Sequence, residues 1–199
     1  MSRPLKLMYL DLETTGLDYV KNGIIQIAGI IEIDGVKKEE FNLKPAPFPN
    51  DVVNLKAVEA HGIPEEVFRA YVSPYEVHKA LISVWDRYID KFDKNDKLTI
   101  VAYNARFDDE FLRAWFKKLC DNYYGSYIQP YKIDIFSITG MLQVLGVLPT
   151  DNLRQETVAS YLGIQYNAHD GLEDIRAGRQ IFQWCCKFFN KEGVEPCQK

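Results

Sequence analysis

The sequence from Leu5 to Gly16 reads LKLMYLDLETTG. Its apolar first part, Leu5 to Asp11, is typical of a buried strand. Residues two apart on a strand share a face and lie roughly 7 Å apart, so we expect Asp11 and Glu13 to point at one spot. The turn that follows begins with Thr14 and Thr15, which offer hydroxyl and N–H groups. The segment predicts a strand with two acidic groups at its end, although alone it also fits a strand followed by a polar turn.

A second acidic segment is Asn104–Asp108, with the sequence NARFD. Asn104 follows an apolar run typical of a strand, and Asp108 falls near the predicted start of a helix, where the helix dipole favours a carboxylate. Phe107 beside it either stacks on a base or fills the core, and core packing is the default for a single phenylalanine. Alone, this segment is weak support for a functional site.

The third segment is His169–Asp174, with the sequence HDGLED. Asp170 can act as the N-cap of a helix with Glu173 at its third position, which is an acidic variant of the capping box. His169 and Asp174 then occupy the two positions that a hydrophobic staple brings together. An exposed cap with an unrelated histidine is the alternative.

The three segments together predict a metal site. Each lies at a strand end or a helix start, and open α/β sheets gather such ends into one crevice. Four carboxylates and one imidazole can hold two hard divalent cations and remove a proton from a water between them.

The bulk composition is that of a globular protein. The chain has 199 residues, 47% hydrophobic and 26% charged, which predicts a single domain over 1–199 with a core at about 5–190. A net charge of −4 and a pI of about 5.5 disfavour extended binding to duplex nucleic acid. An acidic protein can still bind a strand end through metal ions.

Localisation is predicted from what the sequence lacks. The apolar run at the start is short and contains Lys6, unlike a signal peptide, and no segment has the length of a membrane span. The four cysteines show no zinc-site spacing and are interpreted as reduced thiols. We therefore expect a cytoplasmic protein without a membrane partner.

The element order predicts an α/β fold with a five-stranded sheet of mixed direction and helices on both faces. Asp34-Gly35 predicts a tight hairpin turn, and residues 44–74 are predicted to form a long connection. The predicted strands cover residues 5–11, 24–33, 36–43, 98–103 and 131–136, and the predicted helices cover 75–89, 107–120, 138–145, 153–162 and 172–189.

The motifs resemble those of the DEDDh exonucleases of the DnaQ-like superfamily, of the type of the DNA polymerase III ε subunit and ribonuclease T. Asp11–Gly16 is similar to the first family motif, Asn104-x-x-Phe107-Asp108 to the second, and His169-x-x-x-x-Asp174 to the third. The resemblance runs from residue 7 to about 182 and implies a ribonuclease H-like sheet.

The resemblance also implies the roles of individual residues. The metal ligands are expected to be Asp11, Glu13, Asp108 and Asp174, with His169 as the general base. One of two Mg²⁺ or Mn²⁺ ions would lower the pKa of a water, and the other would stabilise the leaving 3′ oxygen. His61 resembles a residue of the loop that contacts the terminal nucleotide, and Leu17 resembles the wedge against its base. The other predicted substrate contacts are Thr14, Thr15, Asn104 and Phe107.

The implied activity is 3′–5′ exonuclease cleavage of single-stranded nucleic acid to nucleoside 5′-monophosphates, with DNA of proofreading or repair type as the first choice. RNA trimming uses the same ligands and is the alternative within enzymes. A non-catalytic nucleic-acid-binding module is the alternative of another class, which the complete ligand set disfavours. The partner is expected to be a strand 3′ end, with a DNA polymerase or replication protein as a further candidate. The chain ends soon after the last predicted helix, so we expect a stand-alone enzyme or a weakly associated subunit.

Overall fold

A mixed five-stranded sheet forms the centre of the computed structural model, which describes residues 3–165 and 171–191. The strands are β1 (Lys6–Thr14), β2 (Ile24–Ile33), β3 (Val36–Leu43), β4 (Thr99–Ala102) and β5 (Ile133–Asp134). Their order in the sheet is β3-β2-β1-β4-β5. β1, β2 and β3 pair antiparallel, whereas β1, β4 and β5 run parallel. The carboxyl ends of the three parallel strands therefore meet at one edge of the sheet.

Helices cover both faces of this sheet, which confirms the predicted α/β architecture. They are α1 (Leu55–His61), α2 (Glu65–Arg69), α3 (Pro74–Trp85), α4 (Ala105–Lys118), α5 (Tyr124–Tyr127), α6 (Ile135–Val144), α7 (Gln155–Tyr161) and α8 (Gly171–Lys191). Apolar residues of α3 and α4 pack on one face, and those of α6, α7 and α8 pack on the other.

The side-chain alternation of β1 decides what reaches each face. Met8, Leu10 and Leu12 belong to the core under α3 and α4. Leu7 and Tyr9 belong to the core under α8. Because strand side chains alternate with a period of two, Asp11 and Glu13 continue the face that α8 covers.

The hairpin between β2 and β3 is present where the sequence predicts it. Asp34 and Gly35 have φ angles of 49° and 79°, so both central residues of the turn are left-handed. This is the backbone that a two-residue hairpin requires, and Asp and Gly tolerate it better than other residues.

Two parts of the element map differ from the sequence prediction. The connection 44–74 contains α1 and α2, whose five to seven residues are too short to give a clear helical period. The predicted strand 131–136 is reduced to the two residues of β5, and α6 starts at Ile135 instead of residue 138. Asp134 caps that helix with its side chain, so Phe136 belongs to a helix and not to a strand.

Smaller differences concern ends and short elements. α3 ends at Trp85 instead of residue 89, and α5 was not predicted. Cys120, Cys185 and Cys186 are free thiols, whereas Cys197 lies outside the described residues. In the described part of the chain no helix has the length and apolar character needed to span a bilayer.

Candidate active site

Three carboxylates meet at the carboxyl end of β1. Asp11, Glu13 and Asp174 each offer one oxygen atom, and these atoms lie within 4.8 Å of one another. Asp11 and Glu13 come from alternate positions of the strand, and Asp174 comes from the first turn of α8, which packs on the same face. All three are half-buried. The structure thus places together three of the four predicted metal ligands.

The pKa values of this cluster are shifted as expected for crowded acids. Burial and then the charge of Asp174 raise the pKa of Glu13 to about 7. Burial raises the pKa of Asp11 well above its usual range, and the neighbouring charges of Asp108, Glu13 and Asp174 raise it further. Each proton or cation added to the cluster relieves this repulsion, and hard divalent cations prefer such oxygen donors.

Asp108 approaches the same region from the opposite face of the sheet. It lies in the first turn of α4 and is 4% exposed. Burial raises the pKa of its carboxyl group, while N–H groups of Leu12 and of Asp108 itself hydrogen-bond to the carboxylate and lower it. The carboxylate is therefore close enough to interact with Asp11 and Glu13, but it is not one of the three mutually close groups.

The predicted general base His169 lies outside the described residues, as does the predicted N-cap Asp170. Glu173 is in the first turn of α8 and forms an ion pair with Arg176 at 2.5 Å. The role of His169 stays a prediction from its position five residues before Asp174.

Hydrogen bonds to the backbone fix the turn after β1. Thr14 Oγ1 donates to the carbonyl of Gly16 at 2.7 Å. Thr15 is fully buried; its hydroxyl donates to the carbonyl of Val52 at 2.7 Å and accepts the N–H of Gly23 at 2.8 Å. Both hydroxyls thus have a structural role here, and their contact with substrate stays a prediction.

An apolar surface lies next to this turn. Leu17 is 83% exposed, although a large apolar side chain is normally at least partly covered. Phe107 is half-buried and packs on Phe111 with ring centroids 4.7 Å apart, and the half-exposed Tyr19 meets Phe111 edge-on. This surface suits contact with a base, which stays a prediction for Leu17 and Phe107.

His61 carries a buried polar atom without a protein partner among the described residues. His61 is the last residue of α1 and is 8% exposed. Its Nδ1 accepts the N–H of Ile63 at 3.0 Å. Burial lowers the pKa of this imidazole, so the neutral ring carries its proton on Nε2. That Nε2 has no hydrogen-bond partner in the described part of the chain, and a buried donor of this kind calls for one.

Asp134 is a site residue that the sequence analysis missed. Its Oδ1 accepts the N–H groups of Asn104 at 2.9 Å, Ala105 at 3.3 Å and Phe136 at 3.2 Å. Its Oδ2 accepts the hydroxyl of Ser137 at 2.6 Å. One carboxylate therefore caps both α4 and α6 and holds the helix that carries Asp108.

The cap is needed because Asn104 does not supply one. Asn104 precedes α4 with φ 69° and ψ 51°, a left-handed conformation, and its own side chain makes no capping hydrogen bond. Its side chain is exposed, and its contact with substrate stays a prediction. An Asp directly before an apolar run at helical spacing was the signal that could have identified Asp134 as a cap.

Several basic side chains on α4 and α8 form ion pairs or ring contacts within the protein. Lys118 pairs with Asp51 at 2.5 Å, Arg179 pairs with Glu32 at 2.5 Å, and Arg176 pairs with Glu40. Arg113 lies over the ring of Tyr124 at 4.7 Å and 3.5 Å from Asp109. These cations stabilise the fold.

Comparison with known proteins identifies the family of this chain. The model of the exonuclease family of the ribonuclease T type matches residues 8–182. The chain is 28% identical over 186 residues to the DNA polymerase III of PolC type from Thermotoga petrophila and 29% identical to that from Thermotoga maritima. Each match covers 93% of this chain but only 12% of the relative, so the chain spans about an eighth of those proteins.

Solved structures of exonuclease I share the fold. The E. coli enzyme in complex with a dT13 oligonucleotide superposes with a TM-score of 0.74 at 20% identity, over 94% of this chain and 43% of the other. Exonuclease I from Methylocaldum szegediense gives a TM-score of 0.74 at 21% identity, over 96% of this chain and 41% of the other. Because the family model matches most of its length, the chain belongs to the exonuclease family of the DnaQ-like superfamily.

Proposed function

We propose that this chain is a metal-dependent 3′–5′ exonuclease of the DEDDh type, which removes nucleoside 5′-monophosphates from the 3′ end of single-stranded nucleic acid. The observation that carries the proposal is the cluster of Asp11, Glu13 and Asp174 at the carboxyl end of a parallel strand. Mutually repelling carboxylates with raised pKa values are a poor arrangement for stability alone and are typical of a functional site.

The donor set fits hard divalent cations. The three clustered groups and Asp108 supply oxygen atoms only, which favours Mg²⁺ or Mn²⁺ over zinc. Two such ions held here would activate a water and stabilise the charge that develops on the phosphate. The carboxylates orient whatever they bind because β1 and α8 fix them on rigid elements.

His169 is the proposed general base. Its unperturbed pKa near neutrality suits proton transfer at physiological pH. His61, Leu17 and Phe107 are proposed to contact the terminal nucleotide because they resemble family residues with that role. Nε2 of His61 is buried and has no partner among the described residues, so its N–H would have to become exposed when a nucleotide binds.

DNA is the proposed substrate. The curated relatives are DNA polymerases, and solved relatives of the same fold hold dT13 and dA16 oligonucleotides. A replication protein is the proposed partner for the same reason, and another exonuclease I structure is a complex described as ExoI/SSB-Ct. An exoribonuclease is the second candidate, because the same carboxylates serve RNA cleavage and the matching family model is of the ribonuclease T type.

A side-by-side assay tests the proposal. Single-stranded DNA and RNA of one sequence, labelled at the 5′ end, are incubated with Mg²⁺, with Mn²⁺ and with chelator, and the ladder of products is followed. We expect stepwise shortening of DNA that requires the cation. Asp174→Asn should abolish it, and Glu173→Gln in the same turn should not, since Glu173 pairs with Arg176. Shortening of RNA alone would establish the exoribonuclease, and binding without cleavage would leave the non-catalytic module.

A further inference from the structure

We propose that the groove lined by Tyr103, Phe136 and Arg154 binds the nucleotides on the 5′ side of the scissile phosphate, with a base stacked on Phe136. The inference rests on the proposed exonuclease function and adds a direction for the strand. None of these three residues is a predicted substrate contact.

The groove adjoins the carboxylate cluster. A void of about 10 Å³ beside Asp11 and Asp174 also has Tyr103 and Gln155 in its wall. The same two residues line the larger open groove, whose volume is about 760 Å³. A volume of this size lies within the range of about 300–1,000 Å³ found for small-molecule sites. Tyr103 and Gln155 therefore form a wall shared by the cluster and the groove, and the groove is the open surface on the far side of that wall.

The groove also offers a platform for a base. Phe136 is 45% exposed, although it is a large apolar residue on the second position of α6. Its ring meets Tyr103 edge-to-face with centroids 6.0 Å apart, and Tyr103 is held by a hydrogen bond from its hydroxyl to the carbonyl of Leu153 at 2.7 Å. The ring of Phe136 is thus supported and accessible, which is what base stacking requires.

Arg154 provides the charge for the backbone of the strand. Its side chain is 77% exposed, and its contact with Glu156 is long at 3.7 Å. Asp151 and Glu156 also line the groove, and their charges disfavour a phosphate beside them. The phosphate is therefore expected next to the guanidinium, and a base is expected next to Phe136.

Gln155 links the groove to the cluster through a hydrogen bond. Its Nε2 donates to the carbonyl of Asp174 at 2.7 Å. The wall of the groove and the first turn of α8 are therefore joined, and a strand lying in the groove contacts the segment that supports a carboxylate of the cluster.

Two kinds of substrate distinguish the contribution of the groove from that of the carboxylate cluster. Thymidine 5′-(4-nitrophenyl) phosphate has a single nucleotide, and only its nitrophenyl leaving group lies on the 5′ side of the scissile phosphate. Oligo(dT) of two to six nucleotides instead places a growing number of bases and phosphates on that side. For the unaltered protein we expect kcat/KM to rise with length. Phe136→Ala should lower kcat/KM on the longer oligomers about tenfold, as expected for the loss of one stacked base. Its effect on the nitrophenyl ester, which has no base to stack on Phe136, should be much smaller.

Matched variants guard against a general effect on folding. Phe136→Trp keeps a flat ring and should restore activity on the oligomers, whereas Phe136→Leu keeps apolar bulk and should not. Phe92→Ala removes an 88% exposed ring beside Asp93, at the end of the sheet where Lys6 begins β1, and should behave as the unaltered protein. Arg154→Gln should weaken oligomer binding and make it less dependent on salt, whereas Lys38→Gln on the edge strand should not.

The outcomes distinguish failure of the groove proposal from failure of the exonuclease proposal. If Phe136→Ala lowered kcat/KM equally on the ester and the oligomers, Phe136 would be a structural residue and the groove proposal would fail. It would also fail if Phe136→Ala changed kcat/KM on neither substrate. If the unaltered protein hydrolyses neither substrate, the exonuclease proposal fails. The groove is then judged by fluorescence anisotropy of labelled oligo(dT) with Ca²⁺, where unchanged affinity in Phe136→Ala and Arg154→Gln would refute it.

Discussion

At the scale of single residues, the central feature is the repulsion among Asp11, Glu13 and Asp174. Removing one charge should separate function from stability. We expect Asp174→Asn to lose at least a hundredfold in exonuclease activity because a charged oxygen donor is lost. The same change should raise the melting temperature of the metal-free protein at pH 8 because Asp11 and Glu13 lose a like-charged neighbour. Scanning calorimetry with chelator measures this, and a lower melting temperature would contradict the electrostatic account.

The pH dependence of the metal-free protein follows from the same residues. The pKa of Glu13 is raised to about 7 in the fold, so the folded state binds its proton more tightly than the unfolded chain does. The stabilisation is complete below the unfolded pKa of about 4.5 and is lost as pH rises through about 7. We therefore expect the melting temperature with chelator to fall between pH 5 and pH 8, once other titrating groups are subtracted by comparison with Glu13→Gln. Added Mn²⁺ should reduce the fall, and an identical profile in Glu13→Gln would refute this origin.

At the scale of elements, Asp134 joins two helix starts that lie at neighbouring strand ends. Asp134→Ala leaves the N–H groups of Asn104 and Ala105 without their acceptor, so the start of α4 and the position of Asp108 should loosen. We expect kcat to fall about tenfold or more, together with weaker Mn²⁺ binding by electron paramagnetic resonance. Asp134→Asn keeps an amide oxygen as acceptor and should recover most of both.

A control distinguishes positioning from stability alone. Ser137→Ala removes a hydrogen bond to the other oxygen of Asp134 without touching α4. It should lower the melting temperature slightly and leave Mn²⁺ affinity unchanged. If Asp134→Ala lowered the melting temperature while kcat and Mn²⁺ affinity at 20 °C stayed normal, Asp134 would only stabilise the fold.

The bounds of the elements also show which parts of the fold can be predicted from local sequence signals. β2 and β3 were predicted with their observed bounds, because a long apolar run, a strong turn pair and a charged edge strand are all local signals. β5 was predicted too long, because its two ladder residues depend on pairing with β4, which no local pattern reveals. Short α1 and α2 are stabilised by contacts with the rest of the protein and not by their own period.

At the scale of the whole molecule, the site is assembled from both faces of the sheet. The sequence predicted Asp11, Glu13, Asp108 and Asp174 as ligands because the motifs are specific, and the structure brings the first, second and fourth of them within 4.8 Å of one another. It did not reveal the double cap at Asp134 or the groove beside Tyr103, since both depend on residues brought together by the packing of β5, α6 and α7. Local sequence signals thus identify the candidate ligands, whereas the residues that hold those ligands in place are determined by long-range packing.

The position of α8 on the sheet is the last requirement of the site, because this helix carries Asp174. A partly buried ion pair holds it: Arg179, with its side chain 21% exposed, lies 2.5 Å from Glu32 of β2, whose side chain is 5% exposed. Glu32 also accepts the hydroxyl of Tyr9 at 3.2 Å. Arg179→Met should leave the Glu32 charge buried without its cation and destabilise the fold by about 3–5 kcal/mol.

The double variant Glu32→Met with Arg179→Met removes the charge together with its partner, and apolar replacements of buried pairs are often neutral or stabilising. We therefore expect urea denaturation to show most of the stability restored in the double variant. Its exonuclease activity below the unfolding transition should also return, because α8 again packs on β2 and presents Asp174 to Asp11. A double variant as unstable as Arg179→Met would show that the pair holds the helix by its geometry, which apolar side chains cannot replace.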